Sequence, residues 1–102
     1  MSSNLPVALT IATSDSGAGA GVQADLLTFA AHGVYGVTVF AGLTAQHPEG
    51  VSAVHPLPRD FLRAQFDQVT DYFEVAAVKI GMLFSAELIK ETASLVSRLA
   101  CP

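Results

Sequence analysis

The chain has 102 residues, 51% of them hydrophobic and only 14% charged, with a formal net charge of −4. That is the size of one domain or part of one, far from a disordered composition, and its acidic balance without a Lys or Arg cluster argues against a nucleic-acid surface. With so few charges, much of the surface must be small apolar residues or lie against something else, which points to a missing partner or missing chain.

The N-terminal Met-Ser-Ser-Asn-Leu-Pro lacks the basic region of a signal peptide. Leu5–Ala12 carries few polar residues and reads as an interior strand of a parallel sheet. A loop of small residues follows, with Gly17, Gly19 and Gly21 between two carboxylates, Asp15 and Asp25. Gly19–Ala31 then reads as a helix, since Val22, Leu26, Phe29 and Gly33 fall on one face and Gly33 suits the residue just past a helix end.

Val34–Thr44 is a second strand, rich in Val, Thr, Tyr and Phe. No Asp, Glu, Lys or Arg lies between Leu26 and Pro48, which raises a membrane span. The glycines and polar residues interrupting that stretch leave too short an apolar run to cross a bilayer. Gln46–Gly50 reads as a loop and Val51–His55 as a short third strand. Pro56 and Pro58 precede a helix over Arg59–Phe73, where Leu62, Phe66, Val69 and Phe73 make an apolar stripe. Ala76–Leu83 is another buried strand, and Ser85 is a fitting N-cap for a last helix through Leu88, Leu95 and Leu99. The order β-α-β-β-α-β-α predicts a layered α/β fold with a mainly parallel sheet, whose next strand would follow Pro102.

The glycine loop invites a nucleotide reading that its spacing does not support. A dinucleotide fingerprint needs glycine where Val22 stands, and a P-loop needs Gly-Lys-Ser/Thr, which is absent. Two readings remain: a tight turn that needs glycine, or backbone N–H groups at a helix N-terminus that hold a polar ligand. Asp15 can cap that turn, and Asp25 can serve as an acid near the start of the helix. Gln46 stands near the end of the second parallel strand, where open α/β sheets bind ligands. Its amide can donate and accept at once, as an aminopyrimidine edge requires, or can simply be solvated. Met82 can line an apolar wall for a flat ring or belong to the core. Lys79, within a buried strand, needs a partner.

His32, His47 and His55 lack metal-ligand spacing, so no metal site is expected. Cys101 has no neighbouring His to make it a nucleophile, and a single cysteine fits a reducing cytoplasm.

Taken in series, Ala8-Leu-Thr-Ile-Ala12, Asp15 with the glycine loop, Gly21-Val-Gln-Ala-Asp-Leu26, Thr28-Phe29, Gly33-Val-Tyr-Gly36, Leu43-Thr-Ala-Gln46, Gly50-Val51 and Val78-Lys-Ile-Gly-Met-Leu83 resemble the hydroxymethylpyrimidine and phosphomethylpyrimidine kinases of thiamine biosynthesis. These belong to the ribokinase-like superfamily, and the segments follow family order across nearly the whole chain. The resemblance implies a ribokinase-like three-layer fold with residues 1–102 as its N-terminal portion. It also implies ATP- and Mg2+-dependent phosphorylation of 4-amino-5-hydroxymethyl-2-methylpyrimidine and then of its monophosphate, in a cytoplasmic homodimer.

In that family the residues matching Ala20, Asp25, Gln46 and Met82 surround the pyrimidine. Gln46 would bond the ring and its amino group, Met82 would pack on it, and Asp25 would be a polar contact. Thr13 matches a position that is usually glycine and approaches the ligand through its backbone. Gly17-Ala-Gly19 stands where the family loop reads Ser-Gly-Gly. The family's ATP site, magnesium-linked acids and catalytic anion hole match nothing here, so the chain is expected to carry acceptor-binding residues without catalytic, cofactor or metal residues. A pyridoxal- or pyridoxine-type kinase is the nearest alternative, and a non-catalytic, truncated pyrimidine-binding paralogue is another.

Overall fold

The computed structural model describes residues 5–102; residues 1–4, which carry most of the signal-peptide argument, lie outside them. The elements follow in the order β1 (Val7–Asp15), α1 (Gly21–Ala31), β2 (Tyr35–His47), β3 (Gly50–Pro56), α2 (Arg59–Tyr72), β4 (Val75–Ile80) and α3 (Ala86–Val96). One four-stranded sheet has the order β3-β2-β1-β4. β1 pairs in parallel with both β2 and β4, and β3 returns antiparallel along β2. The expected mainly parallel α/β architecture is therefore present.

β1 sits at the centre of the sheet, and every residue from Ala8 to Asp15 is buried. Its alternation separates two layers. Leu9 and Ile11 join Val37, Val39 and Ala41 of β2 beneath Leu62 and Phe66 of α2 and Leu88 and Leu95 of α3. Ala8, Thr10 and Ala12 alternate with them and face α1, which lies on the opposite side. Gly36 of β2 allows α1 to come close, because a Cβ there would meet Leu26 Cδ2 at 2.6 Å and Phe29 Cδ2 at 2.9 Å.

The helix ends are closed in different ways. Ser85 caps α3 as expected, its hydroxyl accepting from the Leu88 N–H at 3.2 Å. Gly33 adopts φ +70° just beyond α1, the left-handed conformation expected of it. Gln65 of α2 treats the sheet as a partner: its amide accepts from the Phe40 N–H at 2.8 Å and donates to the Phe40 carbonyl at 2.9 Å. It thus stands in for a neighbouring strand where β3 has not yet begun to pair.

Several boundaries move from their sequence expectations. β1 continues through Thr13, Ser14 and Asp15, which pair with Gly42, Leu43 and Thr44 after a bulge that leaves Ala41 unmatched. These polar residues read as loop in isolation, but a parallel neighbour on one side keeps them extended. β2 likewise runs to His47, so Gln46 lies on a strand and not in a loop. α1 begins at Gly21, leaving Gly19 and Ala20 in the turn. α2 ends at Tyr72, and β4 ends at Ile80, after which Gly81–Phe84 leaves the sheet. α3 stops at Val96, before Leu99. The Pro102 carbonyl accepts from the Val78 N–H at 2.9 Å, on the side of β4 away from β1.

Thr92 of α3 is 1% exposed, and its hydroxyl has no hydrogen-bond partner among the described residues. A buried unpaired hydroxyl carries a desolvation cost that valine, of the same shape, does not. Thr92→Val is therefore expected to raise stability by up to about 1 kcal/mol in urea denaturation, where removal of a needed hydrogen bond would lower it.

Candidate functional site

The C-terminal ends of the three parallel strands converge on one cavity of about 190 Å³. Its lining comes from the end of β1 (Ala12–Asp15), the turn into α1 (Ala20, Gly21), the end of β2 (Thr44, Gln46), and the end of β4 with the loop beyond it (Lys79, Gly81, Met82). The crossover from β1 leaves toward β2 over one face of the sheet, and the crossover into β4 arrives over the other. Such a divergence opens a crevice at the strand ends, the usual ligand position in open α/β sheets.

The glycine loop owes its shape to Asp15. Oδ1 accepts from the Gly17 N–H and Oδ2 from the Ala20 N–H, both at 2.8 Å. The carboxylate thus ties the turn together from within, while the first N–H groups of α1 itself receive no side-chain cap. Gln23, one turn into α1, accepts from the Asp15 N–H at 2.9 Å and donates to Ser14 Oγ at 2.6 Å. The loop also docks on β2. Ser16 Oγ lies 2.8 Å from the Gln46 carbonyl and accepts from the Gln46 N–H at 2.7 Å. Gly17 must lack a side chain for this, since a Cβ would fall 2.8 Å from the Gln46 carbonyl oxygen.

Four of the five residues singled out from the sequence line the cavity: Thr13, Ala20, Gln46 and Met82. Thr13 is accommodated by turning its hydroxyl to the Met82 carbonyl, which accepts it at 2.9 Å. The threonine thereby joins the end of β1 to the loop after β4. Met82 is 65% exposed, so its thioether belongs to the cavity wall and not to the core. That loop is held by Phe84, which has φ +71° and lays its ring where a Cβ on Gly42 would stand, 2.2 Å from Cε2. Left-handed backbone in a bulky residue persists only where its surroundings fix it. Gln46 shares the single hydroxyl proton of Thr44, 3.1 Å from its Oε1, with the Ser14 carbonyl at 2.9 Å. Its amide is therefore lightly held and able to turn toward a ligand.

Asp25, the fifth, stands behind the cavity and not on its surface. Its Oδ2 accepts from Thr10 Oγ1 at 2.6 Å, and its Oδ1 lies 3.0 Å from Lys79 Nζ. β4 is not the buried strand expected, and Lys79 is half-exposed, so its pairing with Asp25 is not forced by burial. Sequence reasoning passed over Ser14 and Thr44; Thr44 was detectable as the residue two before Gln46.

The described residues do not suit a magnesium site. They contain no group of three or more His, Cys, Asp or Glu able to hold a metal ion, and both Asp15 oxygens are already engaged by the loop. No described helix is long and apolar enough to cross a membrane.

The profile of the family described as phosphomethylpyrimidine kinase matches residues 15–102. The hydroxymethylpyrimidine/phosphomethylpyrimidine kinase of Haemophilus influenzae is 49% identical over 88 residues, covering 86% of this chain and 33% of that protein. The enzyme of the same name from Streptomyces coelicolor is 47% identical over 97 residues, covering 95% and 36%. Among solved structures, phosphomethylpyrimidine kinase from Clostridium difficile superposes with a TM-score of 0.90 at 43% identity, over 94% of this chain and 42% of that one. An ADP complex of Bacillus subtilis pyridoxal kinase gives 0.85 at 40% identity, over 94% and 38%. The expected ribokinase-like fold is thus shared with these kinases, and the chain spans about a third of the length of the curated relatives it matches. By the family match and by the identity of its relatives, the chain belongs to the phosphomethylpyrimidine kinase family.

Proposed function

We propose that this chain supplies the acceptor-binding side of an ATP-dependent kinase acting on 4-amino-5-hydroxymethyl-2-methylpyrimidine and on its monophosphate. The observation that carries the reading is the cavity itself. It combines a turnable amide, an exposed thioether and close backbone at the ends of three parallel strands. Gln46 meets the amino group and ring edge, Met82 packs on the ring face, and Ala20 and Thr13 bound the ring closely. Asp25 acts from behind the cavity wall, through its pairing with Lys79.

ATP and Mg2+ would be held by parts of the protein other than the residues described, and no transfer step is assigned to this chain. Phosphoryl transfer depends on positioning both reactants and stabilising the moving phosphoryl group. The chain alone is therefore expected to bind acceptor without turning it over. A cytoplasmic homodimer is the assembly in which we place the complete enzyme.

The similarity to pyridoxal kinase structures favours one second reading, in which the acceptor is pyridoxine, another flat heteroaromatic ring with a hydroxymethyl group. Calorimetric titration of both compounds separates the two. The pyrimidine is expected to bind at least about tenfold more tightly, a difference of about 1.4 kcal/mol. A preference for pyridoxine would overturn the first reading.

A further inference from the structure

Lys79 stands where α1, β4 and the cavity meet, and its ammonium has more donors than described partners. Nζ lies 3.0 Å from Asp25 Oδ1 and 3.1 Å from Oδ2, so both carboxylate oxygens face a single nitrogen. Oδ2 also accepts from Thr10 Oγ1, a fully buried residue of β1. The carboxylate is the sheltered member of the pair, its side chain 15% exposed against 49% for Lys79. Of the two, only Lys79 lines the cavity. Gly81 lies beside it: a Cβ there would meet Nζ only in ordinary contact at 3.4 Å, while crowding Ala12 Cβ at 2.8 Å.

An ammonium carries three N–H donors and no acceptor. Asp25 engages part of that capacity and offsets the charge, while Thr10 fixes the carboxylate. What remains is an oriented donor at the cavity edge whose charge is balanced from behind. Such a group suits a lone pair on an uncharged heteroaromatic ring better than a free anion, for which an uncompensated cation would serve. We propose that Lys79 is a specificity-determining residue that donates a hydrogen bond to a ring nitrogen of the acceptor, with Asp25 and Thr10 positioning it. This rests on the pyrimidine reading of the cavity.

The competing account is that the ion pair only ties α1 to β4. The two are separated by a ring of the same outline without nitrogen. 2-Amino-4-methylbenzyl alcohol keeps the amino, methyl and hydroxymethyl groups of the pyrimidine but offers no ring lone pair. Both compounds are titrated into the wild-type chain and into Lys79→Met and Lys79→Arg, with thermal melts in parallel. The wild type is expected to prefer the pyrimidine by about tenfold or more, the scale of a hydrogen bond from a charged donor. Lys79→Met should lose much of that preference by weakening the pyrimidine alone, the remainder coming from Gln46 at the ring edge, and Lys79→Arg should lose less. If Lys79→Met does not fold, Lys79→Gln, a neutral donor, carries the same comparison and should show a reduced preference.

A purely structural tie would lower the melting temperature and shift both ligands together. Retention of the wild-type preference in the methionine or glutamine variant overturns the proposal, as does a wild type that does not discriminate. Failure of the wild type to bind either ring overturns the pyrimidine reading itself and this inference with it. That result is distinct from pyrimidine binding that is indifferent to Lys79.

Discussion

Gly21→Ala is expected to destabilise the chain by about 2–4 kcal/mol, the sum of backbone strain and a collision that the sheet cannot relieve. Gly21 has φ +63°, a left-handed conformation that a side chain disfavours by about 1–2 kcal/mol. An added Cβ would also stand 2.3 Å from the Thr13 carbonyl oxygen and 3.3 Å from the Asp15 nitrogen. Both belong to the end of β1, which is held there by its pairing with β2 and by the bond of Thr13 to the Met82 carbonyl. Gly33 provides the control, with φ +70° but nothing within 4 Å of its Cβ position. Gly33→Ala should therefore cost only the strain, about 1 kcal/mol. Urea denaturation of the two variants measures the collision as their difference, and equal losses would show that Gly21 is required for its conformation alone. Because the collision falls on Thr13 and Asp15, Gly21→Ala should also weaken binding of the pyrimidine.

Gln46→Leu is expected to weaken pyrimidine binding by about 1–3 kcal/mol, roughly fivefold or more, while leaving the fold intact. The leucine is apolar and one atom shorter than the glutamine, and it can neither donate nor accept. Stability should change little, because the side chain shares one proton of Thr44 and its loss leaves the backbone bonds between Gln46 and Ser16 in place. Calorimetry with a parallel melt checks both halves of this expectation. Equal affinities for wild type and variant would remove Gln46 from the pocket.

These two positions also show how far the sequence can be read. The glycine loop was legible as a tight turn because glycine and aspartate each have a conformational reason to be there. The turn itself is explained by Asp15, whose oxygens reach the N–H groups of Gly17 and Ala20. Local pattern could not decide this, since a capping carboxylate and a nearby acid are the same letter in a sequence. The end of β1 was misread for a related reason. Thr13-Ser-Asp15 has loop composition, and only the parallel partners Gly42–Thr44 make it a strand.

Gln46 and Met82 were placed in a common site by family resemblance, and the structure brings both to one cavity. Asp25 was not so simple. Its position on α1 was readable, but its neighbours Thr10 and Lys79 are 15 and 54 residues away in sequence. Contacts across the sheet face follow from topology, which no helical or strand period encodes. The hydroxyl of Thr13 is similar, since its partner is the carbonyl of Met82, 69 residues later. Ser85, by contrast, was legible at once, because an N-cap bonds within three residues of itself.

The central claim is that the cavity between the ends of β1, β2 and β4 receives an aminopyrimidine. Amide chemical-shift mapping tests it most directly, with 4-amino-5-hydroxymethyl-2-methylpyrimidine titrated into the isotopically labelled chain. The predicted result is a saturable set of shifts centred on Thr13, Ala20, Gly21, Gln46 and Met82. Shifts centred instead on Arg59, Arg63 and Glu91, or on the β2–β3 turn, would contradict it, as would a spectrum that does not respond to the ligand.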